Sequence, residues 1–277
     1  MIFDKPIPFA EAIASRKVKK LLPTSAGSAE IARLAPAIRE RAMFSAKIEN
    51  ANFLAKADRL INGIVSPSSA QGSVPGRESP FNAVEARAEL KRYLASISYQ
   101  PDPKKAGGLE DLSSDTRLDL IIKMNTDMAH GAGQFARQND PAILDDIPCL
   151  ELVRDEERKE KRDWIARWRS HGGKLYGGGR MIARKDDPIW SAISEFGNPY
   201  PPFDYNSGMG VESVFRDEAE KLGVIKRSSV VEPQDIPFDN EREVAFPQNI
   251  GSGLADALKQ VFKVVNDKII LSSGGVS

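Results

Sequence analysis

One cysteine, two histidines and a formal net charge of zero leave several kinds of chemistry little to work with. A lone Cys149 excludes a disulfide within the chain. It sits in the apolar string Ile147-Pro148-Cys149-Leu150, which predicts a buried, inert thiol. A Ser–His–Asp triad or a zinc centre would have to use His130 or His171. Both stand near glycines at expected helix ends, where caps and surface residues sit. The 39 basic and 39 acidic residues cancel, so no global field attracts a phosphate backbone. No apolar run approaches the ~20 residues of a membrane span. Residues 2–14 are broken by Asp4, Lys5, Pro6, Pro8 and Glu11, so no secretory leader is expected there. A soluble chain made in a cytoplasm, with no membrane partner, is the expectation. Hydrophobic residues make up 41% of the 277, enough to core one large domain or two small ones.

The most informative stretch is Asn198-Pro199-Tyr200-Pro201-Pro202-Phe203-Asp204-Tyr205-Asn206-Ser207-Gly208-Met209. Each proline fixes φ and removes an N–H, and each pushes the preceding residue towards extended geometry. The stretch predicts a rigid, irregular strap. Its aromatic residues anchor it, and Asp204, Asn206 and Ser207 close turns. We expect Trp190, Tyr200, Phe203 and Tyr205 to bury, with Pro201, Pro202, Asp204 and Asn206 completing a structural strap. A binding or catalytic loop is the competing reading.

The periodicity predicts an α+β fold, with a mostly helical N-terminal part followed by a compact α+β module with few short strands. A short helix is expected over 8–20. One long amphipathic helix is expected over 28–63, capped by Ser28, interrupted or restarted at Pro36 and ended by Gly63. Residues 65–80 are rich in Ser, Gly and Pro and read as a flexible linker. Further helices are expected over 81–96, with Val84, Leu90 and Leu94 inward, and over 113–138, capped by Ser113 or Ser114. Leu150-Glu151-Leu152-Val153-Arg154 reads as a strand, and Trp164, Ile165 and Trp168 as a short helix that Gly172-Gly173 ends. Residues 211–222 read as a helix. Ser252 is expected to cap a final helix striped by Leu254, Ala257, Leu258, Val261 and Phe262. Lys268-Ile269-Ile270-Leu271 reads as a closing strand, followed by a loose tail over 272–277. These patterns divide the chain into a helical docking segment over 1–64, the linker, a helical region over 81–149, the compact module over 150–250 and a C-terminal piece over 251–277.

Few strings suggest chemistry. Gly172-Gly173 and Gly177-Gly178-Gly179-Arg180 lack the Gly-Lys-Ser/Thr of a phosphate loop and read as turns. Glu218-Ala219-Glu220 has the Glu-x-Glu form of arginine-directed ADP-ribosyltransferases. Within a helix, however, two residues apart means different faces. Lys185-Asp186-Asp187-Pro188 offers two carboxylates to a cation, but Asp187 capping a helix that starts at Pro188 fits better. No catalytic, cofactor or metal site is expected. Arg16, Lys17, Lys19 and Lys20 form the best local candidate for touching nucleic acid, beside the simpler reading of cations at a helix C-terminus.

A family resemblance runs through these blocks. Trp164-Ile165-Ala166-Arg167-Trp168 is followed by Gly172-Gly173-Lys174-Leu175-Tyr176 and Gly179-Arg180-Met181-Ile182-Ala183. Lys185-Asp186-Asp187-Pro188-Ile189-Trp190, the strap and Glu218-Ala219-Glu220-Lys221-Leu222-Gly223-Val224 complete the series. In this order they resemble the C-terminal half of phage head morphogenesis proteins, the phage Mu F-like minor head family. Leu22-Pro23-Thr24 and Arg39-Glu40-Arg41-Ala42-Met43-Phe44-Ser45-Ala46 are similar to one branch of that family. Leu120-Ile121-Ile122-Lys123-Met124-Asn125-Thr126-Asp127 is similar to its helix before the core. The resemblance covers roughly residues 20–225. It implies a structural, non-enzymatic minor capsid protein of a bacteriophage virion, acting in head morphogenesis beside the portal. Its implied partners are the portal protein and the major capsid protein, with packaged double-stranded DNA and a second copy of itself left open. The implied location is the virion head, reached from the host cytoplasm during assembly. Many members carry cysteines and a histidine around the strap, as in a metal knuckle; Asp204, Asn206 and Ser207 stand here instead. An ADP-ribosyltransferase or nuclease linked to a phage, and a DNA-binding accessory of the packaged head carried by Arg16 to Lys20 and Arg33 to Arg41, are the alternatives.

Overall fold

A computed structural model describes residues 9–66 and 82–273. Most of the expected linker and the last four residues of the expected tail lie outside the described residues. The fold is α+β, and it divides into two compact units, Met1–Gly133 with Pro237–Ser277, and Gln134–Ile236. The second unit is therefore an insertion in the sequence of the first.

The first unit opens with α1 (Ala10–Lys17), β1 (Lys20–Leu21), α2 (Ser28–Ile31), α3 (Pro36–Glu40) and β2 (Ala42–Met43), then α4 (Ala51–Val65). The single long helix expected over 28–63 does not form. Pro36 starts α3 at its first turn and holds Ala35 extended at ψ 142°, which ends any helix running into it. Lys47 takes a left-handed φ of 59°, and the Asn50 side chain then accepts from the Phe53 N–H at 2.9 Å to start α4. Gly63 lies inside α4, which runs on to Val65. α5 (Ala83–Ser96) begins with a reciprocal capping box between Asn82 and Glu85. Its buried stripe is Ala86, Leu90 and Leu94, so Val84, two positions ahead, points away and is 65% exposed rather than inward. α6 (Asp115–Gln138) begins where the Ser114 hydroxyl accepts from the Arg117 N–H at 3.1 Å.

The second unit carries α7 (Pro141–Asp146), β3 (Cys149–Arg154), α8 (Trp164–Ser170), β4 (Leu175–Tyr176), β5 (Arg180–Arg184), α9 (Ile189–Ala192), β6 (Met209–Val214) and α10 (Arg216–Lys221). The strands form an antiparallel sheet in the order β4-β5-β3-β6. Residues 211–222, expected as one helix, split between β6 and α10. Six successive pairings with β3, Cys149↔Val214 through Arg154↔Met209, override the local helical pattern. Helix begins only after Phe215, which is extended at φ −68° and ψ 156°.

The chain then returns to the first unit as β7 (Arg242–Ala245), α11 (Ser252–Val261), β8 (Lys263–Val265) and β9 (Lys268–Leu271), with sheet order β7-β9-β8. Gly251, not Ser252, occupies the N-cap of α11, and its N–H is taken by the Glu30 carboxylate at 2.6 Å. The expected closing strand over 268–271 is β9.

The described part of the expected docking segment, residues 9–64, packs into the cores of the first unit. Phe53, Leu54, Ala57 and Ile61 share a core with Leu90, Leu94, Leu118 and Ile122. Leu22, Ile31, Leu34 and Ile38 share another with Leu254, Leu258, Phe262, Ile269 and Leu271. An amphipathic face that fills its own core is not on offer to a partner. The expected C-terminal piece likewise packs into the first unit, as does the 237–250 end of the expected module.

Two clusters core the second unit, Leu150, Leu152, Trp164, Trp168, Trp190, Ile193 and Phe203 on one side and Cys149, Ile182, Val214 and Ala219 on the other. The chain's three tryptophans, Trp164, Trp168 and Trp190, all belong to it. A unit with its own core and sheet should fold alone. A fragment of residues 134–236 is expected to give a cooperative urea transition by tryptophan fluorescence. A fragment with no transition would show that the unit depends on the rest of the chain.

Candidate functional site

The strap is the part of the second unit where sequence put most weight. It runs between α9 and β6. Phe203 is fully buried, stacked on Trp190 at 6.0 Å between centroids, and Trp190 meets Trp168 edge-on at 5.4 Å. The two indoles are also tied by polar atoms. Trp190 donates Nε1–H to the Arg184 carbonyl and Trp168 to the Lys174 carbonyl, each at 2.8 Å. Tyr200 is buried, with its ring 5.5 Å from Phe135, and Pro202 is buried beside a half-buried Pro201. The Pro201–Pro202 peptide is cis. The Phe203 carbonyl accepts from the Glu195 N–H at 2.8 Å, and Ser194 Oγ donates to Asn198 Oδ1 at 3.0 Å. The strap is thus stitched to the end of α9. Tyr205 departs from expectation at 45% exposed, because its ring lies edge-on against Phe196 at 4.8 Å, over the core rather than in it.

Three arginines hold the outer half of the strap. Asp204 is buried and pairs with Arg167 Nη1 at 3.1 Å and with Arg162 Nε at 3.4 Å; its other oxygen accepts from the Tyr205 N–H at 2.7 Å. Arg167 also pairs with Glu195 at 2.9 Å and lies 4.8 Å over the Trp164 ring. Arg162 Nη2 donates to the Tyr205 carbonyl, and Arg158 Nε donates to the Asn206 carbonyl, each at 3.0 Å. Asn206 takes the left-handed turn at φ 51°. Asp204 therefore serves as counter-ion to Arg162 and Arg167, and its carboxylate is engaged within the strap.

The other candidate carboxylates are also engaged. Arg180 joins Glu151 at 2.6 Å to Glu218 at 2.6 Å, so the first Glu of Glu218-Ala219-Glu220 closes an ion pair between sheet and helix. Asp186 pairs with Arg184, and Asp187 Oδ1 accepts from the Ile189 N–H at 2.9 Å, although α9 starts at Ile189 with Pro188, not Asp187, at its N-cap. His171 Nδ1 lies 2.8 Å from the Arg167 carbonyl at the end of α8. Among the described residues no group of three His, Cys, Asp or Glu could hold a metal ion. Cys149 is buried and its thiol is pushed up to about 12 by loss of solvent.

Gly172 takes a φ of 86°, which favours glycine, and Gly173 makes room for an indole. A methyl group on Gly173 would lie 2.4 Å from the Trp168 ring. Gly173→Ala is expected to destabilise the second unit by about 1–3 kcal/mol through overpacking, read from the urea midpoint of tryptophan fluorescence. An unshifted midpoint would show that Trp168 has room to move.

The basic cluster of α1 does not form one surface. Arg16 is 4% exposed and donates to Asn62 Oδ1 at 2.8 Å and Asn125 Oδ1 at 3.3 Å while pairing with Asp58. Lys19 Nζ donates to the Glu40 carbonyl at 3.0 Å. Lys17 is exposed, and Lys20, also exposed, holds its ammonium 5.6 Å from the Phe262 ring centroid. Arg41, the last residue of the Arg33–Arg41 stretch offered for DNA contact, is instead 1% exposed, with its guanidinium spread over carbonyls of residues 237, 240 and 272. Nothing in its neighbouring residues marks this burial, and the Lys185-Asp186-Asp187-Pro188 string does not mark that of Lys185.

No family model, curated protein or solved structure matches the chain.

Proposed function

We propose that this chain is a minor head protein of a bacteriophage, a structural component that acts in head morphogenesis between portal and capsid. The observation that carries the reading is the order of the blocks from Trp164-Ile165-Ala166-Arg167-Trp168 to Glu218-Ala219-Glu220-Lys221-Leu222-Gly223-Val224, which resembles that family. Those blocks fall within the second unit, and most of them build its core and strap. The strap's side chains are spent on holding its own shape, which suits a module that presents a fixed surface. Portal protein and major capsid protein are the partners proposed, the virion head the location, and host cytoplasm the site of assembly.

The described N-terminal helices fill the chain's own cores, which favours a docking surface on a folded unit. The test is sedimentation of the purified chain with assembled rings of the portal protein from the same genome. Co-sedimentation is expected, and it should persist after Glu218→Gln and Glu220→Gln. Absence of the chain from the portal fraction, or a turnover activity that those two substitutions abolish, would overturn the reading.

A further inference from the structure

Lys185 lies just beyond β5 and is 7% exposed, with its Nζ shielded from water and without a hydrogen-bond partner among the described residues. An ammonium sealed away without an acceptor is costly. Its backbone carbonyl and the side chains of its neighbours converge on one segment, the arm of residues 229–236 that closes the second unit. Arg184 Nη2 donates to the Val230 carbonyl at 2.9 Å, the Lys185 carbonyl accepts from the Gln234 side chain, and Asp186 accepts from the Glu232 N–H at 3.3 Å. Arg216 Nη1 donates to the Ser229 carbonyl at 3.2 Å. Gln234 donates its N–H to Asn139 Oδ1 at 2.8 Å, and Asn139 returns a bond to the Gln234 carbonyl. Three successive residues, 184–186, thus carry much of the arm, and the middle one buries an unanswered charge.

We propose that this loop is a proton-operated latch, in which the protonated Lys185 loosens the 229–236 arm and the neutral amine seats it. The ionisable groups around it are Cys149 on β3, the paired Arg184 and Asp186, Asp187, and Arg216 on α10 with its partner Asp145. None of them hydrogen-bonds the ammonium. Burial pushes Lys185 down to about 8. A folded value below the unfolded one means that the open form holds the proton more tightly. Opening is therefore favoured at neutral pH, and the seated arm gains stability as pH rises from about 8 to 10.5. The Cys149 thiol works the other way above about pH 9, and somewhat more so without Lys185, whose charge favours the thiolate.

The test compares the full chain with Lys185→Met at pH 7 and 9.5. Urea melts followed by tryptophan fluorescence report this unit alone. The wild-type folding constant relative to that of the variant is expected to rise roughly 25-fold between the two pH values. At pH 7 the peptide 229–236 should exchange its amide hydrogens more slowly in the variant. An unchanged ratio, or unchanged arm exchange, would overturn the latch. If the variant fails to fold, titration of the wild-type Lys185 Nζ by nitrogen NMR decides. A midpoint near 8 supports the proposal, and one near 10.5 overturns it.

Discussion

Arg41→Met is expected to destabilise the first unit by about 4 kcal/mol or more, through acceptors left without a donor. Arg41 donates Nε and Nη2 to the Pro237 carbonyl at 3.2 and 2.9 Å, Nη2 also to the Asn240 carbonyl at 2.8 Å, and Nη1 to the Ser272 carbonyl. No carboxylate hydrogen-bonds it among the described residues, so the buried guanidinium is satisfied by backbone alone. Methionine matches the apolar stem but supplies no donor, and each abandoned carbonyl costs about 1–3 kcal/mol. Because the acceptors precede β7 and follow β9, hydrogen exchange should rise first in peptides 237–245 and 268–273. A loss below about 1 kcal/mol in a thermal melt would mean that water replaces the guanidinium without penalty.

Phe203→Ala is expected to cost the second unit about 3–5 kcal/mol, the range for truncating a buried Phe. The ring is fully buried between the strap and Trp190, and the residue's carbonyl anchors the strap to Glu195. Its loss leaves a cavity beside the tryptophan pair and also frees the neighbours that position Asp204. The urea midpoint by tryptophan fluorescence measures this directly. A change below about 1 kcal/mol would mean that the strap is not part of the core, and would promote the binding-loop reading.

The residues that local signals could place were legible. Leu90 and Leu94 mark the buried face of α5, and the stripe through Leu254 and Leu258 marks α11. Tyr200, between Pro199 and Pro201, and Phe203, directly after Pro202, were readable as strap anchors because the prolines exclude regular structure. Tyr205 was not, since nothing in its neighbours tells which side of the strap meets Phe196. β6 was misread as helix because its extended state is set by pairing with β3, some sixty residues earlier in the chain. Distance in sequence also hid Arg41, whose acceptors lie about two hundred residues downstream. The basic run of α1 looked like a surface. Arg16 turns inward only because Asp58, Asn62 and Asn125 arrive from other helices.

The central claim concerns where the protein goes, and the protein content of purified phage heads tests it most directly. Heads assembled with the portal and major capsid proteins of the same genome should contain this chain at a few copies each. Heads assembled without portal should contain much less. Heads that form with normal yield and contain none of the chain would contradict the account.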